Sequence, residues 1–236
     1  MKKIIFLGAM HDDPSGKGRL HYAMQNLTAN HKTAPKFLAF EWAQATYTTL
    51  VSKRSELTAQ LRSRIPGRGE VFYDCLSNTL AYEPDLLMEI NPEPKTIWML
   101  NSSQRDDAQI SAKSLTDRAI NVKITNYLNW LLPKIHNWVG LSDEEVLKAA
   151  TCVYMEESSR LAKLTEPDDG LNHSIKAGRD SYMFNQLQIS LDKFKEGEHL
   201  GIIIVGAGHL ANVPGSLFNL CLGNGLTVER RWPHEQ

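Results

Sequence analysis

Apolar positions along this chain follow two rhythms. Short unbroken runs, Ile4-Ile5-Phe6-Leu7 and Ile202-Ile203-Ile204-Val205, are each stopped by a glycine, Gly8 and Gly206. Such runs, rich in β-branched residues, are the pattern of strands buried on both faces. Elsewhere apolar residues recur three and four apart, the spacing of one helix face. Leu20, Ala23, Met24 and Leu27 predict a helix from about Gly18 to Asn30. A strand follows at Lys36 to Phe40, and Tyr47, Leu50, Val51, Leu57 and Leu61 predict a helix from Ala43 to Ile65. Pro66-Gly67-Arg68-Gly69 breaks the chain there.

The turn Asn91-Pro92-Glu93-Pro94 precedes a strand at Thr96 to Leu100, and a helical pattern runs from Ser103 to about Leu132, ending near Pro133. Ser142-Asp143-Glu144-Glu145 has the form of a capping box and opens a helix to about Leu164. Thr165 to Gly170 is a polar loop, and a helix from Ser174 to Lys195 leads to a strand at Gly201 to Val205. The turn Gly206 to His209, a helix through Leu222 and a strand at Leu226 to Arg230 complete the order. Few strands with much helix between them predict an α/β fold, with a mostly parallel central sheet flanked by helices. Residues 1–236 read as a single α/β domain, and 43–165 as a helix-rich insertion in the middle of the chain.

Composition narrows the function classes. Of 236 residues 42% are hydrophobic and 22% charged, ordinary for a globular chain, and the formal net charge is −1. No field of that size draws nucleic acid or an anionic membrane. No apolar run reaches bilayer length. The run after Met1-Lys2-Lys3 is at the lower limit for a leader, and His11-Asp12-Asp13 stands where a small-residue cleavage site belongs, which favours a strand. Cys75, Cys152 and Cys221 are far apart, with no C-x-x-C pair. That excludes a disulfide scaffold and a zinc knuckle and points to a cytoplasmic location.

The chemistry sits where the strands stop. Gly8 is followed three residues later by His11, and Gly206 by His209 with Gly208 between, while the strand at 36–40 runs into Glu41. In an open α/β sheet the loops at the carboxyl ends of the strands form the ligand crevice. His11, Glu41 and His209 are therefore expected to meet at one rim. Two imidazoles and a carboxylate are a ligand set of catalytic divalent-metal sites, with Mn, Co or Zn as the candidate ions. Asp12 and Asp13 either orient the His11 ring or form an Asx turn closed by Pro14. Trp42, next to Glu41, reads either as core or rim packing or as a residue lining the cleft. Arg179, opening a helix beside Asp180, is suited to hold a carboxylate or a developing charge, or else to form a surface ion pair. His21 falls on the polar side of the first helix, His31 in a turn, and His136, His173, His199 and His234 in loops or near helix ends, where solvation is the default.

Four segments together, Gly8-Ala9-Met10-His11, Glu41, Arg179-Asp180 with Met183, and Val205-Gly206-Ala207-Gly208-His209-Leu210, resemble TraB/PrgY-like proteins. That group is similar to Tiki metalloproteases, GumN-type proteins, erythromycin esterases and ChaN-like haem-binding lipoproteins. Ala9 stands where the first motif usually has threonine or serine, and Gly178 and Asp180 flank the arginine where an acid and asparagine are common. The resemblance implies an α/β core with both histidines and the glutamate in one cleft. In the Tiki branch it implies divalent-metal peptidase activity, with His11, Glu41 and His209 as ligands and Arg179 as a cleft residue. Its other branches imply a metal-independent esterase using histidine as general base, or a ligand- or haem-binding protein. A further rival is dinucleotide binding, since Gly206-Ala207-Gly208-His209-Leu210-Ala211 matches G-x-G-x-x-A with Glu229 as ribose acid. No G-x-S-x-G elbow is present, against a serine hydrolase.

Overall fold

The glycine-stopped runs lie side by side in the computed structural model, which describes residues 2–30, 35–80, 82–89, 95–99, 112–176, 178–193 and 199–236. Strands β1 (Lys2–Ala9), β2 (Phe37–Phe40), β3 (Lys95–Trp98), β4 (His199–Gly206) and β5 (Thr227–Arg231) form one sheet in the order β3-β2-β4-β1-β5. Every pairing is parallel. Ile5 stands opposite Ile202 across β1 and β4, and Phe40 opposite Ile204 across β2 and β4. This is the α/β fold with a parallel sheet that the strand pattern predicts.

The strands are apolar without interruption because both faces are covered. Ile5, Leu7, Leu38, Phe40, Ile202 and Ile204 point into one core, and Ile4, Phe6, Phe37, Ala39, Ile203 and Val205 into the other. Alternate residues of a strand face opposite sides, so each face needs its own helical layer. The first layer is α1 (Gly16–Asn30), α2 (Gln44–Ser52), α3 (Arg54–Arg64), α4 (Glu70–Ser77), α5 (Ala112–Thr125) and α6 (Asp143–Ala162). The second uses α7 (Asp169–Lys176), α8 (Arg179–Leu191) and α9 (Leu217–Gly223). Burying each such Ile or Phe contributes about 1.5–3 kcal/mol. Among the described residues no helix is long and apolar enough to cross a membrane.

Several predicted elements are revised. The helix expected over 43–65 is two, α2 and α3, divided at Lys53, which leaves helical geometry with ψ 7°. The helix expected over 174–195 divides at Gly178, whose φ of 73° is left-handed and suits glycine. The helix ending at Pro133 is described from Ala112, and its last part widens into a π-helical stretch, Asn126–Leu131. The middle segment is helix-rich, as expected, and also supplies edge strand β3. The Ser142 capping box is present, its hydroxyl accepting from the Glu145 N–H. The turn at 91–94, the stretch 103–111, residues 194–195 and His31 lie outside the described residues.

Gly201 shows how tight the sheet is. A Cβ there would run into the ring of Phe37, itself buried in the second core. Gly201→Ala is expected to destabilise the chain by about 1–3 kcal/mol, the cost of overpacking. Urea unfolding checks it, and an unchanged midpoint would show that the ring relaxes freely.

Candidate functional site

Strands β1, β4 and β2 are neighbours, so their carboxyl ends are too. Each delivers one of the expected residues to the same place. The Glu41 N–H still bonds Ile204 O at 3.3 Å, continuing the β2–β4 ladder and fixing where the carboxylate leaves the sheet. Gly206 ends β4 and donates its N–H to Glu41 Oε2 at 2.8 Å. A Cβ on Gly206 would lie 2.8 Å from His11 Nε2 and 3.3 Å from Glu41 Oε2, so the close approach of these groups requires glycine. The 3-10 turn Ala207–Leu210 then swings His209 back over Glu41.

The cluster is centred on that carboxylate. His209 Nε2 is 3.1 Å from Glu41 Oε1, His11 Nε2 is 3.5 Å from Oε2, and an Arg179 NH2 group is 2.6 Å from Oε1. The other nitrogen of each ring meets a different buried carboxylate. His209 Nδ1 is 2.9 Å from Asp180 Oδ2, and His11 Nδ1 is 2.5 Å from Glu83 Oε1. Asp180 is fixed in turn by the Leu217 N–H at 2.7 Å, and Glu83 by the Trp42 indole N–H at 3.2 Å. The His11 side chain is 38% exposed and that of Arg179 22%, against 9% for Glu41 and for His209. The cluster therefore opens to solvent on the His11 and Arg179 side. Arg179 Nε is buried without a hydrogen-bond partner.

The middle of the chain grips the His11 loop. Lys123, on α5, donates to His11 O at 2.8 Å and Thr79 O at 2.9 Å and is ion-paired with Asp12. Asn126 donates to Asp12 Oδ2 at 2.8 Å, and the Tyr127 hydroxyl to Asp12 O at 2.9 Å. Asp13 makes the predicted Asx turn, accepting from the Ser15 N–H at 3.0 Å, and pairs with Arg19. Neither Asp12 nor Asp13 is the group on the His11 ring; Glu83 is. Trp42 is buried, edge-on to the His11 ring at 6.1 Å, and serves as a donor rather than an open aromatic wall. Gly8 makes room for Pro233, while Gly208 is uncrowded.

Sequence reasoning missed Glu83, Lys123, Asn126 and Tyr127. Lys123 did carry a signal: it shares an apolar helix face with Ile120, Ile124 and Tyr127. Glu83 carried little, an acid before Pro84 in a short 3-10 segment. The dinucleotide reading loses its support, because Gly206-Ala207-Gly208 leads into a 3-10 turn and not the helix N-terminus that holds a pyrophosphate. Glu229 is paired with Lys3 and Arg231.

Electrostatics follow from the geometry. Burial opposes charge on both rings, but Glu83 and Glu41 push His11 up to about 10, and Glu41 and Asp180 do the same for His209. Burial alone would raise Glu41; His209, His11 and Arg179 instead hold it well below the usual carboxylate range. Burial also opposes charge on Asp12, and Lys123 and Asn126 outweigh it to lower its pKa. Among the described residues no group of three or more His, Cys, Asp or Glu is placed to hold a metal ion. The donor types, two imidazoles and a carboxylate, are still those of divalent-metal sites. Both Nε2 atoms face one carboxylate, and both Nδ1 atoms are held by others, as the rings of histidine ligands are commonly held. With neutral rings, Glu41, Glu83 and Asp180 against Arg179 leave two negative charges, which two protons or one divalent cation would balance.

Two outcomes follow. Lys123→Met strands the Asp12 carboxylate and two carbonyls, and is expected to cost about 3–5 kcal/mol in urea unfolding. The raised histidines contribute full stability below their ordinary pKa of 6.5, and that contribution is lost as pH climbs to about 10. Glu41, held low, contributes above its ordinary 4.5 and loses it as pH falls. The metal-free unfolding midpoint should therefore decline from pH 6.5 to 10, and a His11→Asn/His209→Asn double variant should flatten that limb. A wild-type midpoint rising through this window would contradict the assignment. Comparison of the chain with protein-family models, with curated proteins and with solved structures gives no match.

Proposed function

We propose that this chain is a divalent-metal-dependent hydrolase of TraB/Tiki-like type, with peptidase-like action on the carbonyl of a small-molecule or peptide substrate. One observation carries the reading: two imidazoles from separate strands present Nε2 to a single carboxylate while buried carboxylates hold both Nδ1 atoms. The sequence resemblance supports the same ligand set. His11, Glu41 and His209 would hold the ion. A Mn, Co or Zn ion supplies a Lewis acid for the scissile carbonyl and acidifies water.

The chain's own residues do the rest. Glu83 and Asp180 keep the rings aimed, so little reorganisation is needed when a substrate arrives. Arg179, on the open side, holds substrate or balances charge that develops on the carbonyl oxygen. Glu41 is ionised throughout the neutral range, as a ligand must be.

The metal-independent esterase reading needs a neutral imidazole as base. Here the facing carboxylates raise both rings above the ordinary imidazole range, and both nitrogens of each ring face carboxylates, which favours the metal-dependent reading. A haem ligand would need one nitrogen turned to an apolar slot, and neither ring offers it.

The test is metal uptake by stripped protein, followed by calorimetry with Mn²⁺, Co²⁺ and Zn²⁺ and hydrolysis of peptide and ester panels. One ion per chain is expected, with uptake stronger at pH 8 than at pH 6 because the rings must release protons. His11→Ala, Glu41→Ala and His209→Ala should each lower uptake and hydrolysis by at least about tenfold, more than loss of a supporting group would. Uptake equal to the parent in all three refutes the ligand assignment, and hydrolysis that survives exhaustive chelation transfers the case to the esterase.

A further inference from the structure

Glu83 lies 72 positions from His11 in the chain, and its side chain is 1% exposed. A buried carboxylate is costly unless its oxygens are used. Both oxygens of Glu83 are used: Oε1 meets His11 Nδ1 at 2.5 Å, and Oε2 accepts from the Trp42 indole at 3.2 Å. Trp42 directly follows Glu41, so the end of β2 supplies both the central carboxylate and the donor that aims Glu83. Pairing a partly exposed imidazole with a buried carboxylate adds little net stability, because the cost of burying the charge offsets the attraction. Packing alone does not account for an acid at this position.

The His209 side repeats the construction with unrelated parts. Asp180, also buried, faces His209 Nδ1 at 2.9 Å and is fixed by the Leu217 N–H at 2.7 Å. Two rings from different ends of the chain thus have the same nitrogen occupied by a carboxylate that a further N–H donor holds still. The same two rings turn the same other nitrogen to Glu41.

We infer that Glu83 is a positioning residue: held by Trp42, it fixes the His11 ring with Nδ1–H toward itself and Nε2 toward Glu41, making His11 a preset ligand rather than a mobile one. The inference rests on the metal-dependent reading only for what Nε2 is aimed at; the orientation of the ring stands apart from it. Without Glu83, a ring that is more than a third exposed is free to rotate or flip its tautomer.

Glu83→Gln keeps the volume and the contact to Trp42 but removes the carboxylate. Imidazole ¹⁵N and ring-proton NMR of the metal-free chain should show the His11 Nδ1–H signal displaced from its hydrogen-bonded position, with the melting transition retained. Calorimetry with Co²⁺ should show affinity lower by about 10–100-fold, the usual cost of losing the carboxylate behind a ligand histidine. Glu83→Asp should recover part of both. Trp42→Phe, which leaves the carboxylate but frees it to turn, should shift the same His11 signal by less. An unmoved His11 signal in Glu83→Gln, or in Trp42→Phe should the first variant not fold, overturns the inference, as does Co²⁺ affinity equal to the parent's. If the parent itself takes up no ion, the hydrolase reading fails, while the His11 signal still decides the role of Glu83.

Discussion

The Glu41 carboxylate is the point on which the site turns. It is buried at the end of a central strand, and a lone charge in that position would be expelled or neutralised. What keeps it ionised is its company: the Gly206 N–H, Arg179 and both imidazoles reach it within 3.5 Å. The partners come from three other segments, the His11 loop, the start of α8 and the turn after β4, so with its own strand end one charge ties four stretches of chain together. The ties are directional as well as electrostatic, because a carboxylate offers a limited set of acceptor directions and here they are shared out.

The sheet makes this convergence possible. The chain lays down β1, moves two places across to β2, and only at its far end fills the gap with β4. Three strand ends then lie in a row, and the residues just beyond them, 30 to 198 positions apart, become neighbours. The middle strand must also bring its backbone close to the two flanking side chains, which is why β4 ends in Gly206. A side chain there would separate His11 from Glu41.

The parts legible in the sequence are those governed by short-range rules. Glycine stops after apolar runs mark β1 and β4, and the crevice rule puts His11, Glu41 and His209 at one rim. Ser142 announced its capping box. The break at Gly178 is visible as a residue type inside a pattern that is helical on either side, and its positive φ shows that backbone geometry takes precedence there. Glu83 and Lys123 were illegible for another reason. Their partners lie 72 and 112 positions away, and no local pattern states which distant loop a buried charge will meet. Asp12 and Asp13, beside His11, are the orienting candidates the sequence offers, but Lys123 and Arg19 hold those two carboxylates.

The middle segment is therefore more than an addition to an α/β core. His209 is held by elements from the C-terminal part: Asp180 on α8, itself fixed by the first residue of α9. His11 has no such local support, for the loop after β1 carries no group that reaches its ring. Its carboxylate, its backbone clamp and the partners of the following aspartate come from residues 79 to 127. The π-helical widening at Asn126–Leu131 fits this demand, since consecutive residues Asn126 and Tyr127 both reach Asp12 there. A core made only of the outer segments would keep Glu41 and His209 in register and leave the His11 ring unrestrained, so the helical middle is part of the construction of the site.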